Sequence, residues 1–217
     1  MRITSKEMKG IFAALAEKMT ANMTNLVELD SVAGDGDLGL AMVDGFTAVE
    51  AATRDSDETD IGKLLYLAGK TLSSSAPSTT GTLLASGIIK GAREMMGTTE
   101  MSLEELTRFS EAMLEGICAL GGAKTGEKTI VDGLAPAVDR LKAACADGDM
   151  MNAVKEAKEA SRIGAEQTVD MVAVHGRVAV KGENSRGIID AGAVTVSLLI
   201  EAISDFLESL IMANDGK

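Results

Sequence analysis

The chain is 217 residues long, 46% apolar, with a formal charge of −12. A chain of this length can bury a sizeable core, while its negative charge argues against nucleic acid, whose phosphate backbone needs a basic face, and against anionic membrane surfaces. It has no uninterrupted apolar run of about 18 residues and no signal-peptide layout at its start, so a soluble, cytoplasmic protein is expected.

The interior must be filled by small and aliphatic side chains, because the sequence holds only four Phe and one Tyr against 13 Met and many Ala. Such a composition suits closely packed helices. The only prolines, Pro77 and Pro136, leave long stretches free of helix breakers. Cys118 and Cys145 both fall at apolar helical positions, so two buried free thiols are expected, in keeping with a reducing compartment.

The spacing predicts eight helices. The first opens at the capping box Thr4-x-x-Glu7 and presents Met8, Ile11, Phe12, Leu15, Met19 and Met23 on one face. An acidic loop follows, Leu29-Asp30-Ser31-Val32-Ala33-Gly34-Asp35-Gly36-Asp37-Leu38-Gly39. Its three carboxylates repel one another unless a cation neutralises them, and the interleaved glycines allow a tight turn and close approach to a ligand. Hard oxygen ligands suit Mg²⁺ or Ca²⁺. An EF-hand is disfavoured: with Asp35 as the first loop position, Phe46 stands where the bidentate Glu belongs. An open metal site at Asp30, Asp35 and Asp37 is the reading that remains.

A second helix carries Met42, Val43, Phe46 and Val49, and a third runs from Asp60 through Ile61, Leu64, Leu65, Ala68 and Leu72. The fourth covers Thr82 to Met96. The fifth begins at the capping box Ser102-x-x-Glu105 and carries Leu106, Phe109, Met113, Ile117 and Leu120. The sixth spans Val131 to Ala146, and the seventh, Met150 to Val172, alternates Lys and Glu on a solvated face. The eighth, from Asp190, is the most apolar. Val172 to Val180 is β-branched enough to be locally extended, and no strand or hairpin pattern competes with the helices. One all-α domain over residues 1–217 is expected, an up-and-down bundle with antiparallel neighbours.

Four loops rich in glycine, hydroxyls or charge fall at alternate helix junctions: residues 30–41, 73–82, 121–129 and 174–192. In an up-and-down bundle alternate junctions lie at one end, so all four are expected to meet at one rim. There they bring together carboxylates, helix N-termini, hydroxyls and Arg177, a set matched to a nucleotide polyphosphate with Mg²⁺. No Walker loop is present. His175, Lys124 and Lys128 are read as structural or solvated residues.

Taken together, the motifs resemble the family of ADP-binding L subunits of dihydroxyacetone kinase. The resemblance runs through Asp30-x4-Asp35-x-Asp37-x-Gly39, Met42, Gly45-Phe46 and Thr71-Leu72, then Gly126-x-Lys128-Thr129-x-x-Asp132-x-x-x-Pro136. It continues in Gly176-Arg177, Gly182-Glu183-x-Ser185-x-Gly187 and Asp190-x-Gly192-Ala193. It implies an eight-helix antiparallel up-and-down barrel with a nucleotide, ADP or ATP, at one rim. By the same resemblance Asp30, Asp35 and Asp37 would hold two Mg²⁺, and the backbone of Leu38, Gly39, Leu40 and Ala41 would approach the phosphates. Thr79, Thr80 and Gly81 would make a further phosphate contact. Gly121 and Ile130 would line the adenine and ribose pocket, and Arg177, Asp190, Ala191 and Gly192 would close over the nucleotide. The chain departs from the family pattern at Leu38, often His or Thr, at Pro77 to Gly81, richer in hydroxyls, and at Ala191, a frequent proline.

The implied activity is that of a kinase subunit that passes a phosphoryl group to a short ketose or polyol held by a separate substrate-binding K subunit. Arg177 is the candidate catalytic residue. ATP and a phosphotransferase-system donor protein both remain open as phosphoryl source, and a homodimer is admitted. Two alternatives remain: a non-catalytic Mg-nucleotide sensor that docks onto a regulator, which would use the same binding residues, and the nucleotide-binding part of a fatty-acid kinase-like system, which shares the aspartate motif.

Overall fold

The computed structural model describes residues 1–146 and 148–215. Among them nine α-helices succeed one another: α1 Ser5–Ala21, α2 Met23–Ser31, α3 Leu38–Thr53, α4 Ile61–Ser75, α5 Thr79–Glu94, α6 Leu103–Gly121, α7 Ile130–Ala144, α8 Met150–Gln167 and α9 Ala191–Asp215. The expected first helix is two. The chain breaks at Asn22 (φ −106°, ψ 8°), whose side-chain amide donates to the Lys18 carbonyl at 2.9 Å beside its own backbone N–H at 3.1 Å, closing off the end of α1. Because α1 and α2 form one broken leg, the predicted eight-leg pattern survives the break.

Each leg packs on its neighbours in sequence, and α9 returns to α1, which closes the ring into a barrel. The apolar stripes read from the sequence point inward: Met8, Ile11, Phe12 and Leu15 on α1, Met42, Phe46 and Val49 on α3, Leu64, Leu65 and Leu72 on α4, and Leu134, Val138 and Leu141 on α7 are all buried. A small apolar cavity of about 150 Å³ remains at the centre, lined by Phe12, Phe46, Leu65, Leu134 and Val196 among others.

Glycines let neighbouring legs touch where a side chain would not fit. Pro136, inside α7, has no N–H for the Asp132 carbonyl, and Gly164 of α8 lies so close to that carbonyl that a Cβ would strike it. Outside the helices, β1 (Ile3–Thr4) pairs antiparallel with β2 (Glu100–Met101), Ile3 opposite Met101. At two residues each, these strands are too short to leave an alternating pattern in the sequence.

Three expectations are corrected. The stretch 172–180 is not extended throughout: from Arg177 it is 3₁₀ helix, Arg177–Ser185, kinked at Gly182 and entered through Gly176 at φ 72°. Cys145, which follows α7, is exposed and Cys118 is only half-buried. Lys128, read as solvated, is 1% exposed. None of the described helices is long and apolar enough to cross a membrane.

Candidate functional site

The helices α3, α5, α7 and α9 run in the same direction, and all four begin at one end of the barrel. The loops preceding them enclose a cleft of about 770 Å³ whose wall includes Asp30, Asp37, Thr79, Thr129, Arg177 and Asp190. The predicted convergence of loops at one rim is therefore what the structure has.

Carboxylates come first. The last turn of α2 delivers Asp30, and the chain then turns through Gly36 at φ 75°, a conformation open to glycine and strained for other residues. The Gly36 N–H donates to Asp30 Oδ2 at 2.8 Å, and Gly34 sits so close to the same carboxylate that a Cβ would collide with it. These two glycines aim Asp30 at Asp35 and Asp37. One oxygen from each of the three lies within 4.8 Å of the others. Crowding has an electrostatic cost: the Asp37 carboxyl sits above its ordinary range, through lost hydration first, then repulsion from Asp35 and Asp30, with Arg177 opposing. Arg177 Nη2 stands 2.6 Å from Asp35 Oδ2, supplying one positive charge against three negative ones. A set of half-buried and exposed carboxylate oxygens with net negative charge fits a hard divalent cation such as Mg²⁺.

The helix N-termini differ in what they leave open. At α5 the Ser78 hydroxyl accepts the Gly81 N–H at 3.0 Å. At α7 Thr129 and Asp132 form a capping box, and at α9 Asp190 Oδ2 accepts the Ala193 N–H at 2.7 Å. At α3 no side chain caps the first turn. Its Asp37 is turned to the carboxylate cluster instead, and the first bonded amide is Ala41, which donates to the Asp37 carbonyl. The amides of the first turn are thus left without a side-chain cap at the positive end of the helix dipole, and at Leu38 this end borders the cleft beside the cation site, a seat for an anionic group.

The remaining predicted residues sort themselves. Leu38, Thr79, Thr80, Gly121, Ile130, Asp190, Ala191 and Gly192 line the cleft. Gly39, Leu40, Ala41 and Gly81 do not. Gly39 is packed on Met23 and Val27, Ala41 is buried, Leu40 turns to solvent, and the Gly81 amide is already held by Ser78. Apolar contributions come from Leu83, Ile117, Leu120 and Ile130, enough to cover one face of a flat ligand. His175 lines the cleft with Nε2 2.8 Å from Glu127 Oε2, which agrees with a structural role. Asp190 lies deeper, half-buried, its carboxyl pushed up to about 6 by burial, with Asp132 adding to the rise and the Ala193 N–H and Lys128 opposing it.

Lys128 is the residue that sequence reasoning passed over. It has φ 61°, alone among the described non-glycine residues with positive φ, and its buried ammonium donates to the carbonyls of Thr168 at 2.6 Å and Met171 at 3.2 Å. The available signal was its place in the Gly126-x-Lys128-Thr129 motif, immediately before a capping box.

Residues 32–205 match the model of the DAK2 domain family. The chain is 30% identical over 208 residues to L-erythrulose 1-kinase of Mycolicibacterium smegmatis, covering 95% of this chain and 36% of that protein. It is 31% identical over 187 residues to the ADP-binding subunit DhaL of PEP-dependent dihydroxyacetone kinase 1 from Listeria innocua, covering 86% of this chain and 89% of the subunit. In structure it resembles the dihydroxyacetone kinase of C. freundii, solved with AMP-PNP and Mg²⁺, at a TM-score of 0.70 and 22% identity, over 91% of this chain and 33% of that one. It therefore spans about a third of the erythrulose kinase and of the solved kinase, and most of the DhaL subunit.

Proposed function

Because the chain belongs to the DAK2 domain family, we propose that it is the nucleotide-binding, phosphoryl-transferring subunit of a short-ketose kinase. The observation that carries this reading is the meeting, in one cleft, of the Asp30–Asp35–Asp37 cluster and the uncapped first turn of α3. A diphosphate or triphosphate needs a cation on one side and amide donors on the other, and here the two are adjacent. The relatives point the same way, since they are named as kinases or as an ADP-binding kinase subunit.

Asp30, Asp35 and Asp37 would hold Mg²⁺, two ions in the full form of this proposal, which when bound neutralises the charge of the phosphate chain. The amide of Leu38, the first of the uncapped turn and on the cleft wall, would take a phosphate oxygen, and the hydroxyls of Thr79 and Thr80 would add donors from the start of α5. Arg177 reaches the phosphate end and would stabilise the charge of the group in transfer. Ile130, Leu120 and the open backbone at Gly121 would receive the base, while Asp190, Ala191 and Gly192 border the nucleoside. His175, the chain's sole histidine, is engaged with Glu127, which leaves it unsuited to activate a sugar hydroxyl. The acceptor, dihydroxyacetone or a related ketose such as erythrulose, is accordingly assigned to a separate substrate-holding subunit. The donor would be exchangeable ATP or a phosphotransferase-system protein that rephosphorylates bound ADP.

The test is phosphoryl transfer. The purified chain is combined with the substrate-holding subunit of a dihydroxyacetone kinase, ketose and Mg-ATP, or Mg-ADP with a phosphorylated donor protein, and product is followed by phosphorus NMR. Ketose phosphate that depends on both proteins supports the reading. Tight nucleotide binding with no transfer to any ketose would instead make the chain a nucleotide sensor.

A further inference from the structure

We propose that Lys128 is a positioning residue for the nucleotide site: its ammonium pins the base of the strap 168–190, and through the strap fixes where Arg177 and Asp190 stand. The inference rests on the functional reading above and names a residue to which that reading gives no part.

The strap leaves α8 at a 3₁₀ turn, Thr168–Asp170, and re-enters the barrel at Asp190. Its two ends are tied together at one point, since the Thr168 hydroxyl accepts the Asp190 N–H at 2.9 Å and the Val169 carbonyl accepts the Gly187 N–H at 2.8 Å. Lys128 reaches into this knot from the α6–α7 loop. It donates to the Thr168 carbonyl, which also accepts the Met171 N–H at 3.1 Å, and to the Met171 carbonyl beyond the 3₁₀ turn. A cation on the carbonyls at a helix C-terminus is also favoured by the helix dipole.

At 1% exposure the ammonium is out of water, and a buried charge is tolerated only where it is paired and hydrogen-bonded. Asp190 and Asp170 face it with favourable charge and Arg186 with unfavourable charge. A left-handed backbone at a residue with a side chain is a strained choice, held here because it turns the side chain inward.

The outer part of the strap is held more lightly. Glycines at positive φ flank it, Gly176 at 72° and Gly187 at 84°, with Gly182 at 52° between them. Its contacts with the barrel include His175 with Glu127, the Val174 N–H on the Glu127 carbonyl at 3.2 Å, and Arg177 with Asp35. Glu127 is the residue before Lys128, so the same short loop holds both the base and the middle of the strap. Arg177 then reaches the carboxylate cluster because the strap starts from a fixed base.

The experiment uses the full chain in four forms: wild type, Lys128→Met, Arg177→Met and the double variant. Hydrogen exchange of nucleotide-free protein reports on the strap, and calorimetric titration with Mg-ADP reports on the site. Lys128→Met is expected to speed exchange over 171–189 while α1, α4 and α6 keep their protection. It is also expected to weaken Mg-ADP by about tenfold, with its effect shrinking to about twofold or less in the Arg177→Met background, because the two act through one element. Unchanged strap exchange, or loss of protection spread evenly over the barrel, overturns the proposal, as does a Lys128→Met effect that stays whole in the double variant. If Lys128→Met does not fold, Lys128→Gln, which keeps a donor for one carbonyl, is read by the same criteria. If wild type itself binds no Mg-ADP, the kinase reading fails, and strap exchange alone decides whether Lys128 pins it.

Discussion

Asp35 and Arg177 meet at 2.6 Å on the cleft wall, so each partly satisfies the other until a ligand arrives. The pair is open to solvent, and its worth to stability is small. Its consequence is positional: the guanidinium already stands at the carboxylate cluster, where the proposed nucleotide's phosphates would lie. Arg177→Lys keeps the charge and loses the planar fork, so steady-state kinetics with a partner subunit should show kcat falling by roughly 10²-fold or more while KM for nucleotide changes little. A raised KM with kcat unchanged would make Arg177 a binding residue only. Asp190 gives a prediction in pH. Its carboxyl is raised from the ordinary 3.8 to about 6, so the stability it contributes is fully present below that ordinary value and lost as pH rises through about 6. Asp190→Asn keeps a capping side chain and removes the titration. Denaturant unfolding of nucleotide-free protein should show the variant gaining on wild type by about 1–3 kcal/mol between pH 4 and pH 7. A gap that does not change with pH would contradict this. The aspartates were legible from their spacing alone, because three carboxylates crowded among glycines repel one another until a cation joins them. Lys128 was not, since a lysine in a polar loop is ordinarily solvated, and only the arrival of α8 some forty residues later buries it.

Helices set the frame of the cleft, since the loops that line it precede the starts of α3, α5, α7 and α9. Capping boxes at Thr4, Ser102 and Thr129 fix three of the starts, the first two foreseen as capping boxes from their Glu three residues on. Apolar periodicity gave the faces correctly, but it could not see the break at Asn22, because Met23 continues the stripe across the kink. The strap was misread for a related reason. Valines at 172, 174, 178 and 180 suggest an extended segment, yet two glycine turns and the bonds of Ser185 to Ala173 and Gly182 fold it into short 3₁₀ turns. Packing between legs is equally specific. At Gly164 a methyl group would meet the Asp132 carbonyl and, at 3.0 Å, the Pro136 ring, both on α7. Gly164→Ala should therefore destabilise the barrel by about 1–3 kcal/mol in chemical denaturation, despite alanine's better helix propensity. An unchanged or raised midpoint would show that α7 and α8 can separate without penalty.

The closed ring of legs explains why the cleft and the four loops around it lie at one end of the molecule. With each helix antiparallel to the next, four N-termini and their loops must gather at the same rim, where the dipoles favour an anion. The sequence therefore disclosed the rim as well as the fold, since regular alternation of helix and functional loop has one outcome in an up-and-down barrel. What it could not disclose is which amides stay free: that depends on whether each preceding side chain turns to cap its helix, as Ser78 does at α5, or to join the carboxylates, as Asp37 does at α3. The claim that joins these levels is that the rim holds a nucleotide through a cation on the three aspartates. Calorimetric titration of nucleotide-free protein with ADP and with ATP, with and without Mg²⁺, beside Asp35→Asn, tests it most directly. Binding that requires Mg²⁺ and weakens by about tenfold or more in the variant is the predicted result. Absence of binding under every condition, or affinity indifferent to both Mg²⁺ and Asp35, would contradict it.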